Sequence, residues 1–170
     1  VKDFHLTDKW SDLYLPLYMM SFSSVDDFSD YIAKIKMDGE IAPSELDFRT
    51  LQYFAPLLGD NRLRARISGK MSGYVNDFQV QDVKVALKGG GFSGKVNGRM
   101  TGIPEIETTR LNARVSDMLL TTEGLGDFIS EWMDEGEELD LSGFAKGVLF
   151  SLDGKVKGTL NDMRINASIG

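Results

Sequence analysis

One pentapeptide, Gly-Lys-x-x-Gly, occurs three times in this chain. The copies read Gly-Lys-Met-Ser-Gly at 69–73, Gly-Lys-Val-Asn-Gly at 94–98 and Gly-Lys-Val-Lys-Gly at 154–158. Successive side chains of a β-strand point to opposite faces. Each copy would therefore place its glycines and its third residue on one face and its lysine on the other. Recurrence of so short a unit indicates one supersecondary element that is used several times.

Turn signals follow two of the three copies. Asn76 and Asp77 lie just after the first copy, and Asn161 and Asp162 lie at the same distance after the third. Asn and Asp favour tight turns, and Phe78 would begin the return strand after the first. The sequence therefore predicts a mainly β fold. We expect an elongated, curved antiparallel sheet of repeated β-hairpins, open like a gutter, with two or three short helices.

The chain divides into four parts of a single segment. Strands and short helices fill 1–58, a hairpin array fills 59–120, a helix and an acidic loop fill 121–140, and a last hairpin fills 141–170. Apolar alternation predicts strands over 13–22, 33–42, 63–73, 78–87, 91–102, 111–118, 141–157 and 163–169. Helical spacing predicts short helices after Ser24, over 50–58 and over 123–133. Pro16 cannot donate to a ladder, which predicts an edge strand or a break there.

The composition argues against several classes of function. Acidic residues outnumber basic ones by 26 to 19, and the net charge of −7 disfavours binding to nucleic acid or to anionic headgroups. Cysteine is absent, so no disulfide or thiolate chemistry is expected. No apolar run reaches the length of a membrane span. The chain begins at Val1 and its last strand runs to the final residues, so we expect a piece of a longer protein.

Three features could carry chemistry, and each has a plainer interpretation. Residues 89–96 nearly match a phosphate loop, but Val96 occupies the position of the required Ser or Thr, which favours a glycine-rich hairpin turn. His5 is the single histidine, and without cysteine beside it a surface or edge-strand role is expected. The acidic run 134–140 lacks calcium-loop spacing and is interpreted as a solvated loop. We therefore predict no enzyme activity, no metal and no cofactor.

The informative residues are apolar and alternate along the strands. They fit either the core of an ordinary β-sandwich or the inner face of an open, curved sheet. Glycines that recur on the apolar face favour curvature, and eight methionines would give an adaptable lining, so both favour the second interpretation. The candidates for such a groove are Leu63, Ile67, Met71, Val85, Leu87, Phe92, Val96, Met100 and Val115.

Several stretches, in their order and spacing, resemble one family. They are Asp-Asp-Phe at 26–28, Ile-Ala-Pro-Ser at 41–44, Leu-Gln-Tyr-Phe-Ala-Pro at 51–56, the hairpin at 67–78 and Thr-Gly-Ile-Pro-Glu at 101–105. From about residue 11 to residue 169 the chain is similar to the AsmA-like and TamB-like translocation and assembly module proteins of Gram-negative envelopes. Among these it most resembles the proteins of Bacteroides-type bacteria. The acidic insert at 134–140 has no counterpart in that pattern.

The resemblance implies a periplasmic protein that is anchored in the inner membrane by a helix outside this segment. It implies a long, open β-gutter with an apolar interior that carries phospholipid toward the outer membrane. No catalytic residues come with the family. The alternative, from the TamB branch, is a protein-interaction module that assists outer-membrane protein assembly by adding a client strand to its edge. A closed sandwich with a purely structural role is the third hypothesis.

Overall fold

The computed structural model describes residues 1–51, 62–103, 105, 108–124, 147, 149–159 and 162–169, and nine strands lie within these ranges. They form one antiparallel sheet in which every strand pairs with its neighbours in chain order, and the sheet does not close on itself. The strands are β1 (Lys2–Thr7), β2 (Asp12–Ser21), β3 (Lys36–Asp47), β4 (Arg64–Tyr74), β5 (Asp77–Leu87), β6 (Phe92–Thr101), β7 (Arg110–Thr121), β8 (Leu149–Thr159) and β9 (Asp162–Ile169). The predicted fold, a curved sheet of repeated hairpins, is confirmed.

β-Bulges interrupt the ladder in every second strand from β3 to β7. The register shifts between Ile41 and Ser44 in β3, between Val80 and Val83 in β5, and between Val115 and Met118 in β7. β3 therefore holds one extra residue relative to β4, and β5 and β7 each hold one relative to both neighbours. A bulge bends its strand and increases the local twist. Three bulges in alternate strands therefore account for the curvature of the sheet.

Two of the bulges share a sequence signature. Val-Gln-Asp-Val in β5 and Val-Ser-Asp-Met in β7 place Asp82 and Asp117 at the extra position, with φ of 50° and 53°. Asp tolerates this left-handed conformation better than most residues. The backbone N–H of Asp82 donates to Oδ1 of Asn97 (2.9 Å), and that of Asp117 donates to Oδ1 of Asp153 (3.0 Å). Each bulge is thus held by a side chain of the next strand.

The N-terminal strands differ from the prediction. β2 runs through Pro16 without a break and is the second strand of the sheet, while β1, which the apolar pattern did not predict, forms the edge. The β2–β3 register passes from Asp12–Glu45 to Leu17–Glu40 without bridges between them. Pro16 lies in this gap, where its missing N–H breaks no ladder bond with β3.

Short helices follow β2 and β3. A 3₁₀ helix (Val25–Asp30) and helix α1 (Tyr31–Lys34) confirm the helix after Ser24, whereas the strand predicted from residue 33 begins only at Lys36. The carboxylate of Asp27 accepts hydrogen bonds from the backbone N–H groups of Ser24 (2.9 Å) and Ser23 (2.7 Å), which also lower its pKa. This cap stabilises the start of the 3₁₀ helix.

Helix α2 (Phe48–Leu51) is the described start of the helix predicted over 50–58. Residues 52–58 and 125–133 of the predicted helices, and residues 141–146 of the predicted strand, lie outside the described residues. The turn between β4 and β5 is formed by Val75 and Asn76, one residue earlier than the Asn76–Asp77 prediction. None of the helices in the described part of the chain has the length and hydropathy of a membrane-spanning helix.

Candidate functional site: the two faces of the sheet

The strand register gathers the groove candidates on one face of the sheet. Residues directly opposite each other on paired strands share a face. Ile67 lies opposite Val85, Val96 lies opposite both Val83 and Val115, and Met71 lies opposite Val80. Leu87, Phe92 and Met100 follow on the same face, opposite Ala65, Leu120 and Leu111 respectively. We call this surface, which β8 extends with Leu152 and Val156, the apolar face.

Leu63 is the one candidate outside the strands. It lies just before β4, and its carbonyl accepts a hydrogen bond from the backbone N–H of Phe48 (2.9 Å). Sequence reasoning also left Phe78, Val80 and Met118 out of the set, although they belong to the apolar face. The bulges cause the omission, because the extra residue shifts the alternation by one position. The signature Val-x-Asp, followed by Val or Met, is the signal that could have found them.

Side chains of the apolar face remain partly exposed. All nine groove candidates are half-buried. Across the described residues six apolar side chains are buried: Leu15, Ile35, Met37, Ala65, Ala113 and Leu120. A sheet whose apolar side is fully covered by a second layer buries most of its inward side chains. The apolar face is therefore a surface with apolar area left to shield.

A trough crosses the opposite face of the sheet. Its volume is about 890 Å³, and its lining residues come from seven consecutive strands, β2 to β8. We call it the polar trough. Its polar and charged residues are Asp38, Glu40, Lys70, Ser72, Gln79, Gln81, Asn97, Arg99, Asn112, Arg114 and Lys155. Leu17 and Met19 of β2 also line it, as do Met71 and Val80, which belong to the apolar face.

Positive charge collects on the polar side. Strands β4 to β9 carry eleven Lys and Arg but five Asp and Glu, a net charge of +6 in a chain whose total is −7. Each strand contributes one to three cations at alternate positions, so no basic run appears in the sequence. Antiparallel pairing then brings the separate cations onto one surface. The net charge of the whole chain conceals this local excess.

Several of these cations lie opposite other cations. Cα partners across the ladder include Arg114 with Lys155, Lys84 with Lys95, and Lys157 with Arg164. Arg99 differs, because its guanidinium donates two hydrogen bonds to the carboxylate of Asp77, which lowers the pKa of Asp77 and raises that of Arg99. Lys95 also reaches Asp117 at 3.5 Å. Arg114 and Lys155 belong to none of the ion pairs among the described residues.

A buried ionic cluster closes the end of β3. Asp47 is fully buried (0% exposed), and its carboxylate accepts hydrogen bonds from the guanidinium of Arg49 (2.8 and 2.6 Å) and from Nε of Arg64 (2.8 Å). These contacts, led by the bond from Arg49, lower the pKa of Asp47 from 3.8 to about 2. Ser11 Oγ accepts from the backbone N–H of Asp47 (2.9 Å) and shares a hydrogen bond with Thr50 (2.6 Å). We call this set the Asp47 cluster.

The Asp47 cluster has the character of a structural site. A general base needs a free lone pair and access to a substrate, whereas the carboxylate of Asp47 is occupied by two guanidinium groups and closed to solvent. Arg49 in turn lies over the ring of Trp10, with its guanidinium carbon 5.0 Å from the ring centroid. The cluster thus ties the β1–β2 turn to β3, α2 and β4.

The other chemical candidates are now placed. His5 is exposed on β1 and stacks on the ring of Tyr14 at a centroid distance of 4.4 Å. The glycines at 89–91 form the turn before β6, so a strand follows them, where a phosphate loop would open a helix. The acidic run 134–140 lies outside the described residues. Within the described ranges, no three His, Cys, Asp or Glu side chains are grouped to hold a metal ion.

Comparisons with known proteins assign no family to this chain. No protein-family model matches the chain, and neither the curated proteins nor the solved structures include a significant match.

Proposed function

We propose that this segment shields lipid acyl chains on its apolar face, as part of a periplasmic envelope protein that moves phospholipid between the inner and the outer membrane. One observation supports the proposal above the others: the half-buried apolar surface continues without interruption from β4 to β8. At about 4.8 Å per strand, these five strands give a strip roughly 19 Å wide.

The physical logic concerns sliding as well as binding. Each methylene group removed from water contributes about 0.8 kcal/mol. A surface of similar apolar character along its length keeps this contribution nearly constant as a chain moves, so no single position traps the lipid. Bulges preserve that uniformity, because after each extra residue the apolar side chains return to the same face.

The experiment is native mass spectrometry of the segment, expressed in the periplasm and purified without detergent. We expect co-purified phospholipid with the native chain and its loss in Val96→Asp, because the new carboxylate would lie at the centre of the apolar face. Asn97→Asp is the matched control. It adds the same charge one residue away on the polar side, and an aspartate can still accept the hydrogen bond from Asp82 N–H.

Circular dichroism and thermal unfolding would show whether both variants keep the fold. Retention of lipid by Val96→Asp, or equal loss from both variants, would exclude the apolar face as the lipid site. Met71→Asp tests a second position of the same face, on β4.

The second candidate function is binding of a client strand. It is favoured by the open ends of the sheet, since β1 and β9 pair on one side only within the described residues. An exposed edge offers backbone groups to an additional strand. A proline placed in β1 should abolish binding of a client strand while co-purified phospholipid is retained. Unchanged client binding in that variant would contradict this second candidate.

A further inference from the structure

Arg114 and Lys155 are the like-charge pair of the sheet that lines the polar trough. They are Cα partners on β7 and β8, both are exposed, and both line the polar trough. Like charges that lie directly opposite on paired strands are destabilising. The nearest positions on either side, Asn97 and Asn166, are neutral amides. The pair therefore presents two cations at one place, and neither of them forms an ion pair among the described residues.

Charge varies along the trough. Its β3 end carries Asp38, which is paired with Lys36 (2.9 Å) and accepts a hydrogen bond from Ser72 (2.6 Å), and also carries Glu40. Its β7–β8 end carries Arg114 and Lys155, whereas Arg99 on β6 is paired with Asp77. A partner that binds along the trough would meet a positive end and a more neutral end. Its anionic groups would be drawn to β7 and β8.

Between the two ends the lining is rich in amide side chains, contributed by two Asn and two Gln residues on β5, β6 and β7. An amide side chain both donates and accepts hydrogen bonds, as each peptide unit of a backbone does. We propose that the polar trough binds an extended, acidic stretch of polypeptide, whose carboxylates pair with Arg114 and Lys155 while its backbone bonds to the amides. This site is separate from the proposed acyl-chain surface, which lies on the opposite side of the sheet.

The dimensions set the length of that stretch. Seven strands at about 4.8 Å spacing give a trough roughly 29 Å long, and an extended peptide advances about 3.3 Å per residue. About nine residues would therefore span it.

Shape and lining favour a polypeptide over other anions. A bilayer presents a flat array of headgroups, which a concave surface contacts only at its rims. Single-stranded nucleic acid relies on aromatic platforms for its bases, and no aromatic side chain is among the described residues that line the trough.

The test is fluorescence anisotropy with a labelled nine-residue peptide of alternating Glu and Ser, compared with the same peptide carrying Gln for Glu. The variant is the double substitution Arg114→Gln and Lys155→Gln in the whole segment. The matched control is Lys2→Gln and Lys34→Gln, which removes the same charge from exposed positions outside the trough. We expect the trough variant to weaken binding about fivefold to tenfold and the control less than about twofold.

The folding of the trough variant is measured alongside, because loss of structure would also weaken binding. Removing two like charges that face each other should leave the free energy of unfolding unchanged or slightly higher. Val96→Asp should not alter peptide binding, which separates failure of this proposal from failure of the acyl-chain proposal.

Three results would overturn the proposal. One is equal weakening by the trough variant and the control, which would indicate a general charge effect. Another is equal affinity for the Glu and Gln peptides. The third is loss, in the trough variant, of binding to phosphatidylglycerol vesicles while peptide binding is unchanged, which would assign the cations to a membrane surface.

Discussion

The Asp47 cluster and the apolar face reverse the usual distribution of residues in a protein. In the cluster a carboxylate is fully buried and bonded by two guanidinium groups, while on the apolar face valines and methionines remain half-exposed. Charged groups are seldom fully buried unless they are paired, and large apolar surfaces are seldom left open unless something binds there. The difference separates a region that is closed by buried ionic contacts from a region whose apolar side chains stay partly exposed.

The largest effect is expected from removing the buried charge. Asp47→Ala leaves the guanidinium groups of Arg49 and Arg64 without their shared partner, and it removes the acceptor of the Arg49 backbone N–H. Breaking a buried ion pair from one side usually costs about 3–5 kcal/mol. Both arginines are partly exposed (24% and 47%) and can regain water, so we expect a loss near the lower limit, about 3 kcal/mol.

Chemical denaturation measures this loss, with Asp12→Ala as the control. Asp12 is exposed on β2, where its side chain accepts one long hydrogen bond from Thr7 (3.4 Å). Its substitution should change the free energy of unfolding by less than about 0.5 kcal/mol. Similar losses for the two variants would remove the distinction between the cluster and an ordinary surface.

The Asp47 cluster also shows what a sequence pattern leaves out. Asp47 and Arg64 are 17 positions apart and Ser11 is 36 positions from Asp47, and no periodicity links them. The hairpins, by contrast, are local, so the pentapeptide and its turn predict β4 to β6 within one or two residues. The alternation of apolar residues within a strand can be recognised in the sequence. Polar contacts between distant segments cannot, because they form only when the strands pair.

The two faces of the sheet also differ in how far the sequence predicts them. The apolar face was predictable because apolar and polar residues alternate within each strand. The alternation holds as far as the bulge at Asp82 or Asp117, where it shifts by one residue. The polar trough was not predictable, because its cations are spread singly over four strands and the acidic remainder of the chain outweighs them. β1 was missed for a related reason: its apolar alternation is limited to Phe4 and Leu6, which is too short to mark a strand.

The next largest effect is expected in the open middle of the sheet, at Gly69. This residue has φ of +151° and lies opposite the β5 bulge, where an added Cβ would be 2.6 Å from Cα of Val83. Backbone cannot move aside as a flexible side chain can, so β4 and β5 would have to separate. We expect Gly69→Ala to lower the free energy of unfolding by about 2 kcal/mol more than its control.

The control is Gly89→Ala, in the turn before β6. Gly89 also has a positive φ (+111°), but an added Cβ would meet nothing within 4 Å. The two substitutions share backbone strain and differ in steric contact. Equal costs in chemical denaturation would mean that close approach at the bulge does not hold the middle of the sheet.

The pH dependence of stability also separates the two regions. The pKa of Asp47 is about 2 in the folded protein and 3.8 in the absence of its partners, so the unfolded chain binds the proton more readily. Stability therefore rises with pH in this range. The contribution is fully present above about pH 5 and is lost as the pH falls through 3.8 toward 2. The shift corresponds to about 2 kcal/mol.

Asp47→Asn provides the comparison, because it cannot titrate. Other carboxylates whose pKa is lowered, including Glu45 beside Lys88 and Asp77 beside Arg99, contribute in the same direction in both proteins. Urea unfolding between pH 2 and pH 6 should then show a steeper acid loss in the native chain than in the variant, by about 2 kcal/mol. Parallel curves would contradict the assignment. The apolar face contributes no titrating group, so Val96→Asn should leave the slope unchanged. The Asp47 cluster therefore contributes stability that acid removes, whereas the apolar side chains contribute stability that does not depend on pH.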